Sequence, residues 1–316
     1  MRHALVLSGG SIKGAFQAGA INEILHSGIA PEAIYGVSIG SLNGAFLAER
    51  AGRAARRHQV ANWEEIGDAL EAFWRSKITS FDVIAEKHSM IGVAEDVLFN
   101  DFDGLADMTR LHRLVRREIK EENLRNSPVR FSAGVVNLAS GEYIHADLGF
   151  PNIIDYIIAS TAIPVSMPIS MVAGQPLVDG GLRNVTPLKA AIDEGAEDIL
   201  CVVCQAEKVS GVNFDRKNLL QLFERLMDIA INEIVNNDLE WAEFINLYCP
   251  RDGTPLIEGP LAGYRYVPIA IIRPAIEPDI HLETFDSKQI EDLINLGHLT
   301  ARNALKIGKS LCPSII

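Results

Sequence analysis

The 316-residue chain carries 29 lysines and arginines against 41 aspartates and glutamates, a formal net charge of −12, and 48% of it is hydrophobic. This balance excludes disorder, allows a substantial core, and disfavours both nucleic acid read through a basic surface and purely electrostatic attraction to anionic lipid. Four cysteines without framework spacing, Cys201, Cys204, Cys249 and Cys312, and the lack of a secretory leader predict a cytoplasmic chain; with no apolar run of the ~20 residues that span a bilayer, any membrane contact is peripheral.

Residues 4–7 read as a short apolar strand running straight into Gly9, Gly10, Ser11, Lys13 and Gly14. A helix over 15–26 follows, with Phe16, Ala20, Ile24 and Leu25 on the helical period. The same strand, glycine turn and helix recur over 33–49, and two such units predict a parallel α/β sheet working at its strands' C-terminal ends. From 63 to 78, Trp63, Ile66, Leu70, Phe73 and Trp74 form an amphipathic helix, either packed on the core or serving as a lipid-facing lid.

Val129, Phe131, Ala133 and Val135 alternate before a Ser140-Gly141 turn into 143–146, a hairpin pattern. A helix over 153–160 stops before Pro164, and "PLVDGG" is a strand ending in a glycine turn. The run "ILCVVCQ" is a buried strand, which argues against a redox or zinc role for its C-x-x-C, because residues three apart on a strand face opposite ways. Helices over 218–247 and 287–307 flank a late strand within 264–275. The Gly/Pro-rich segment 250–263 is the weakest candidate boundary.

Gly36-Val37-Ser38-Ile39-Gly40 is a G-x-S-x-G between a strand and a helix, the context of a nucleophile elbow; a serine there could also merely cap the helix. A nucleophilic serine needs a base and a place for the developing oxyanion. The N–H groups of Gly10 and Ser11, with Gly9 shaping the turn, suit the oxyanion, since a helix N-terminus stabilises an anion. A nucleotide loop is the competing reading. However, Gly14 precedes Ala15 rather than a lysine, and no acidic residue follows the next strand near Val37, so both phosphate-binding patterns are incomplete. For the base, Asp179 ends a strand in the turn Gly180-Gly181, while His281 and His298 lie downstream without an active-site turn context. Read alone, Asp-Gly-Gly is an ordinary turn signal.

Together these segments resemble the patatin-like phospholipases, a family of lipid acyl hydrolases with a Ser–Asp dyad. The resemblance rests on "SGGSIKGAFQAGAI", "GVSIGSLNGA", "ASTAIPVSMPI" and "LVDGGLRNVTPL" in the family's order, and weakly on "NLASGEYI", "AIIRPAIEPDI" and "QIEDLINLGHLTA". It implies a three-layer α/β/α sandwich with a mainly parallel central sheet. It implies a single domain over 1–316, with core motifs in 5–190 and a helical and strand extension over about 205–310. It also implies Ser38 as nucleophile, Asp179 as its partner, an oxyanion loop over Gly9–Gly14, a lipid or acyl-ester substrate, and no metal or organic cofactor. Lys13 matches the family's basic position, with a substrate-headgroup role or a structural one equally open. The family usually has a third glycine where this chain has Ser11, so a positive φ there would cost a non-glycine residue ~1–2 kcal/mol. An esterase or thioesterase on soluble acyl substrates, and a non-catalytic lipid-binding protein on the same fold, are the alternatives.

Overall fold

The computed structural model describes residues 3–99, 102–211 and 219–311; Asn218, the expected start of the long helix, and Cys312 lie outside them. The first half of the chain holds β1 (His3–Leu7), a 3-10 turn (Ser11–Lys13), α1 (Gly14–His26), β2 (Ala33–Val37), α2 (Ile39–Arg56) and α3 (Trp63–Lys77). Short elements follow: α4 (Phe81–Ile84), β3 (Glu86–Lys87), α5 (Met90–Phe99), β4 (Ala106–Asp107), α6 (Thr109–Glu118) and α7 (Glu121–Leu124). Then come β5 (Arg130–Asn137), β6 (Tyr143–Asp147), α8 (Ile153–Ser160), β7 (Ser170–Val172) and β8 (Gln175–Asp179), with a second 3-10 turn at Gly180–Leu182. The chain continues through α9 (Leu188–Asp193), β9 (Asp198–Val202), α10 (Leu219–Tyr248), β10 (Ile269–Ile272) and α11 (Ser287–Leu311).

Strands β10, β9, β1, β2 and β5 lie side by side and parallel, and β6, β8 and β7 complete the sheet antiparallel. The central strands are apolar on both faces, and their alternation sorts the core in two. Leu5, Leu7, Ile34, Leu200 and Val202 join the core under α1, α2, α3 and α11. Ala4, Val6, Tyr35, Ile199 and Cys201 join the one under α9 and α10. The fold is therefore a three-layer α/β/α sandwich around a mostly parallel sheet, as expected. In α3, Ile66, Leu70, Phe73 and Trp74 are all buried, so this helix packs on the core and is not a lid. The late strand is shorter than its apolar run because Pro268 and Pro274, which have no N–H to donate, bound it.

Helix α11 is fastened to α1 and α3 by His298, placed between Glu23 and Glu71, and by Arg302, which donates to both Glu23 oxygens at 3.0 Å. The hydrogen bond to Glu71 is the largest influence holding the imidazole's pKa above its ordinary value, with Glu23 adding to it. A group whose folded pKa is raised stabilises fully below its unfolded pKa and loses that contribution as pH rises through the folded one. His298→Gln should therefore lower the melting temperature more at about pH 5.5 than at about pH 9. An equal drop at both would show that the ring's packing matters and its charge does not.

Candidate active site

The sheet register brings the two motifs together. β2 pairs with the first half of β5, Val37 opposite Gly134. β8 pairs with the second half of β5 in the opposite direction, Asp179 opposite Val135. Because β6 pairs with β5 across both stretches, it takes one edge of β5 and leaves β2 and β8 to share the other. Those two strands run head-on along it, their last residues Val37 and Asp179 opposite the adjacent Gly134 and Val135, so that Ser38, which follows Val37, meets Asp179.

Ser38 is 5% exposed and holds φ 54°, ψ −127°, a strained conformation for a non-glycine residue. The turn is tight enough that a Cβ on Gly36 would collide with the Gly40 carbonyl, and one on Gly40 with the Leu7 carbonyl. Its side chain makes no cap bond to α2, so a purely capping serine does not describe the geometry. Instead its backbone is pinned. The Ser38 N–H donates to Ser160 Oγ at 2.8 Å, and Ser160 Oγ donates to the Gly134 carbonyl at 2.7 Å. Two residues on, the Ala162 carbonyl accepts from the Asp179 N–H at 3.0 Å. The end of α8 thus ties both strand ends together. Ser160 is fully buried, and sequence reading gave it no role; its place in "ASTAIP" was the available signal.

Asp179 is 7% exposed, and its Oδ1 accepts from the Gly181 N–H at 2.8 Å. Burial pushes its carboxyl up to about 6, against the opposing pull of the Ser38 hydroxyl and the Gly181 N–H. Gly180 is required for close approach, since a Cβ there would run into the Gly134 carbonyl. Also beside this turn is Tyr143, a half-buried residue whose enclosed phenol is pushed up by burial first and by Asp238 and Asp179 after it.

The glycine loop lies alongside. A Cβ built on Gly9 would be 3.3 Å from the Ser38 Cβ, and the Gly9 N–H donates to the Val185 carbonyl at 3.0 Å. Among the described residues no group accepts from the N–H of Gly10 or of Ser11. Behind the loop runs a buried polar chain. Trp74 Nε1 donates to Asn43 Oδ1 at 2.9 Å, Asn43 Nδ2 to Gln17 Oε1 at 3.1 Å, and Gln17 Nε2 to the Ser8 carbonyl at 2.8 Å. Gly14 opens α1 where a Cβ would strike Ile39 and Trp74. Lys13 is ion-paired with Glu277, whose other oxygen accepts from the Ala206 N–H at 2.7 Å, so the lysine is engaged within the fold.

Ser11 adopts φ 51°, the left-handed region where a side chain costs ~1–2 kcal/mol. Glycine would relieve that strain and clear the approach to the loop's N–H groups. Ser11→Gly should hold or raise kcat on a soluble ester; a large fall with an unchanged circular dichroism spectrum would mean the hydroxyl has a positive role.

Neither histidine joins this site. His281 is an exposed side chain whose acidic neighbour is Asp279 at 3.7 Å, and His298 is held by Glu23 and Glu71. Among the described residues no cluster of His, Cys, Asp and Glu could hold a metal ion, and no helix is long and apolar enough to cross a membrane. Cys201 and Cys204 are both buried, and burial pushes the Cys204 thiol up to about 12, far from thiolate chemistry.

Comparison with known proteins gives one family match: the model of the patatin-like phospholipases covers residues 5–192. The weaker resemblances at 270–280 and 289–301 lie beyond it. No curated protein matches the chain. Among solved structures, VipD from Legionella pneumophila is similar at 14% identity over 96% of this chain and 66% of that one, with a TM-score of 0.45. The type III effector protein ExoU is similar at 12% identity over 96% of this chain and 52% of that one, with a TM-score of 0.34. The chain therefore spans just under two-thirds of the first and about half of the second.

Proposed function

Because the chain belongs to the patatin-like phospholipase family, whose general chemistry is lipid acyl hydrolysis, we propose that it cleaves carboxylic esters of lipids with Ser38 as nucleophile and Asp179 as base. The observation that carries this reading is the head-on meeting of β2 and β8, which sets a strained, buried serine against a buried carboxylate beside two unpaired backbone N–H groups.

In the proposed cycle, Ser38 Oγ attacks the acyl carbon while Asp179 takes its proton. The carbonyl oxygen, now negative, is held by the N–H groups of Gly10 and Ser11 and favoured by the N-terminus of α2. The tetrahedral species expels the alcohol, which leaves with the proton from Asp179, and the acyl group remains on Ser38. Water then gives a proton to Asp179 and attacks the acyl-enzyme. Ser38 leaves with that proton and the fatty acid is freed, so each half-reaction returns Asp179 to its carboxylate. Because the base sits near a pKa of about 6 rather than that of a free aspartate, its proton affinity is better matched to neutral pH.

The test is labelling by a serine-directed fluorophosphonate, with phospholipid vesicles and a short-chain nitrophenyl ester assayed side by side. Labelling lost in Ser38→Ala and turnover of the vesicles are expected. An unlabelled wild type would leave a non-catalytic lipid-binding protein in place of the enzyme, and turnover of the soluble ester alone would make it a soluble-substrate esterase or thioesterase.

A further inference from the structure

The matched family region ends at residue 192, yet α10, well beyond it, reaches back to the site through one carboxylate. Val235, Leu239, Ala242 and Ile245 form the buried stripe of this helix, and Asp238, half-buried, shares that face. Asp238 Oδ2 accepts two successive backbone N–H groups, from Val185 at 3.0 Å and from Thr186 at 2.8 Å. Among the described residues no cation pairs with it. A carboxylate is therefore half-buried with backbone donors as its partners, an arrangement that holds a loop rather than an ion pair. The loop it holds has two functional ends. It starts six residues earlier at Asp179, and the Val185 carbonyl accepts the Gly9 N–H at 3.0 Å. A Cβ on Gly9 would be 3.3 Å from Ser38 and 3.4 Å from Val185, so the glycine loop is wedged between the elbow and the segment Asp238 anchors.

We propose that Asp238 is a positioning residue: by accepting from Val185 and Thr186 it fixes the Val185 carbonyl, and through it the Gly9–Ser11 loop that faces the oxyanion. This rests on the Ser38–Asp179 reading above. What it requires is an acceptor at that point, not a charge. Asparagine keeps a carbonyl oxygen there, alanine removes it, and glutamate keeps the charge but moves the oxygen. Small displacements of donors around a transition state are costly, because their benefit depends on placement to within tenths of an ångström.

The full-length protein and its Asp238→Ala, Asp238→Asn and Asp238→Glu variants are compared on a soluble nitrophenyl ester. They are also compared on inhibition by a trifluoromethyl ketone, whose adduct with a serine carries an oxyanion, and on backbone amide exchange. Asp238→Ala should lower kcat on the order of tenfold to a hundredfold with KM changed less than about threefold. It should weaken the ketone in step with kcat and speed exchange at Gly9, Val185 and Thr186 but not in β5. Asp238→Asn should stay within about threefold of wild type. Should the alanine variant not fold, Asp238→Glu takes its place, with a lower kcat and faster Gly9 exchange expected. Unchanged exchange at Gly9, a loss confined to KM, or an asparagine variant as impaired as the alanine one would each overturn the proposal. An inactive wild type would sink the hydrolase reading alone, since exchange at Gly9 still decides whether Asp238 holds the loop.

Discussion

Ser38→Ala should remove ester hydrolysis, a loss on the order of a thousandfold or more, while leaving the fold in place. The covalent route disappears with the hydroxyl, but the elbow does not depend on it. The N–H bond to Ser160 and the carbonyl bonds to Ser41 and Leu42 are backbone interactions that alanine keeps. Alanine meets the same positive φ as serine, so it adds no strain. Removing one buried oxygen beside a carboxyl already pushed up by burial also withdraws a group that favoured the anion, which drives Asp179 further toward its neutral form. The measurement is vesicle and soluble-ester turnover with circular dichroism as the folding control. Activity within a few-fold of wild type would end the assignment of Ser38 as nucleophile.

Much of the fold was legible because its central strands carry their own signal. β1, β2 and β9 are apolar on both faces, β1 and β2 run into glycine turns, and no other arrangement covers such strands as well as helices on two sides. The stretch from Phe81 to Leu124 was not read, although α6 places Leu111, Leu114 and Val115 on one buried face at helical spacing amid basic residues. Its neighbours β3 and β4 are two residues each, too short for any period to show. The three motifs around Ser38, Gly10 and Asp179 were found as separate turns. Their meeting at one sheet edge was expected from the strand ends and the family resemblance; what no residue pattern showed was the pairing that achieves it, β8 running against the far half of β5. The supporting residues were invisible for a related reason. Gln17, Asn43 and Asp238 are ordinary polar residues in helices, and only tertiary contact reveals that each bonds a site loop or the network behind it; Ser160 had its place in "ASTAIP" as a signal, but its bonds too appear only in the fold.

Asp179→Asn should cost a hundredfold or more in kcat, the range seen when a general base is removed, and should at the same time make the protein more stable at neutral pH. Both effects follow from burial. A carboxyl whose folded pKa is raised from 3.8 to about 6 contributes stability that is complete below the unfolded value and is lost as pH climbs through the folded one. At pH 7 the ionised group is therefore a liability on the order of 3 kcal/mol, which an asparagine still able to accept the Gly181 N–H does not carry. The same raised value fixes the pH dependence of the wild type. The base must be deprotonated, so kcat/KM should rise with pH through about 6 and level off above it. An ordinary histidine titrates close by, near pH 6.5, and the profile by itself does not separate the two bases. Substitution does. His281 is an exposed side chain beside Asp279, and His298 is committed to Glu23 of α1 and Glu71 of α3, so alanine at either should change kcat little. A loss at either histidine equal to that at Asp179 would replace the dyad with a Ser–Asp–His triad. An Asp179→Asn variant that melts no higher than wild type at pH 7 would mean that the carboxylate is better solvated by its surroundings than its burial implies.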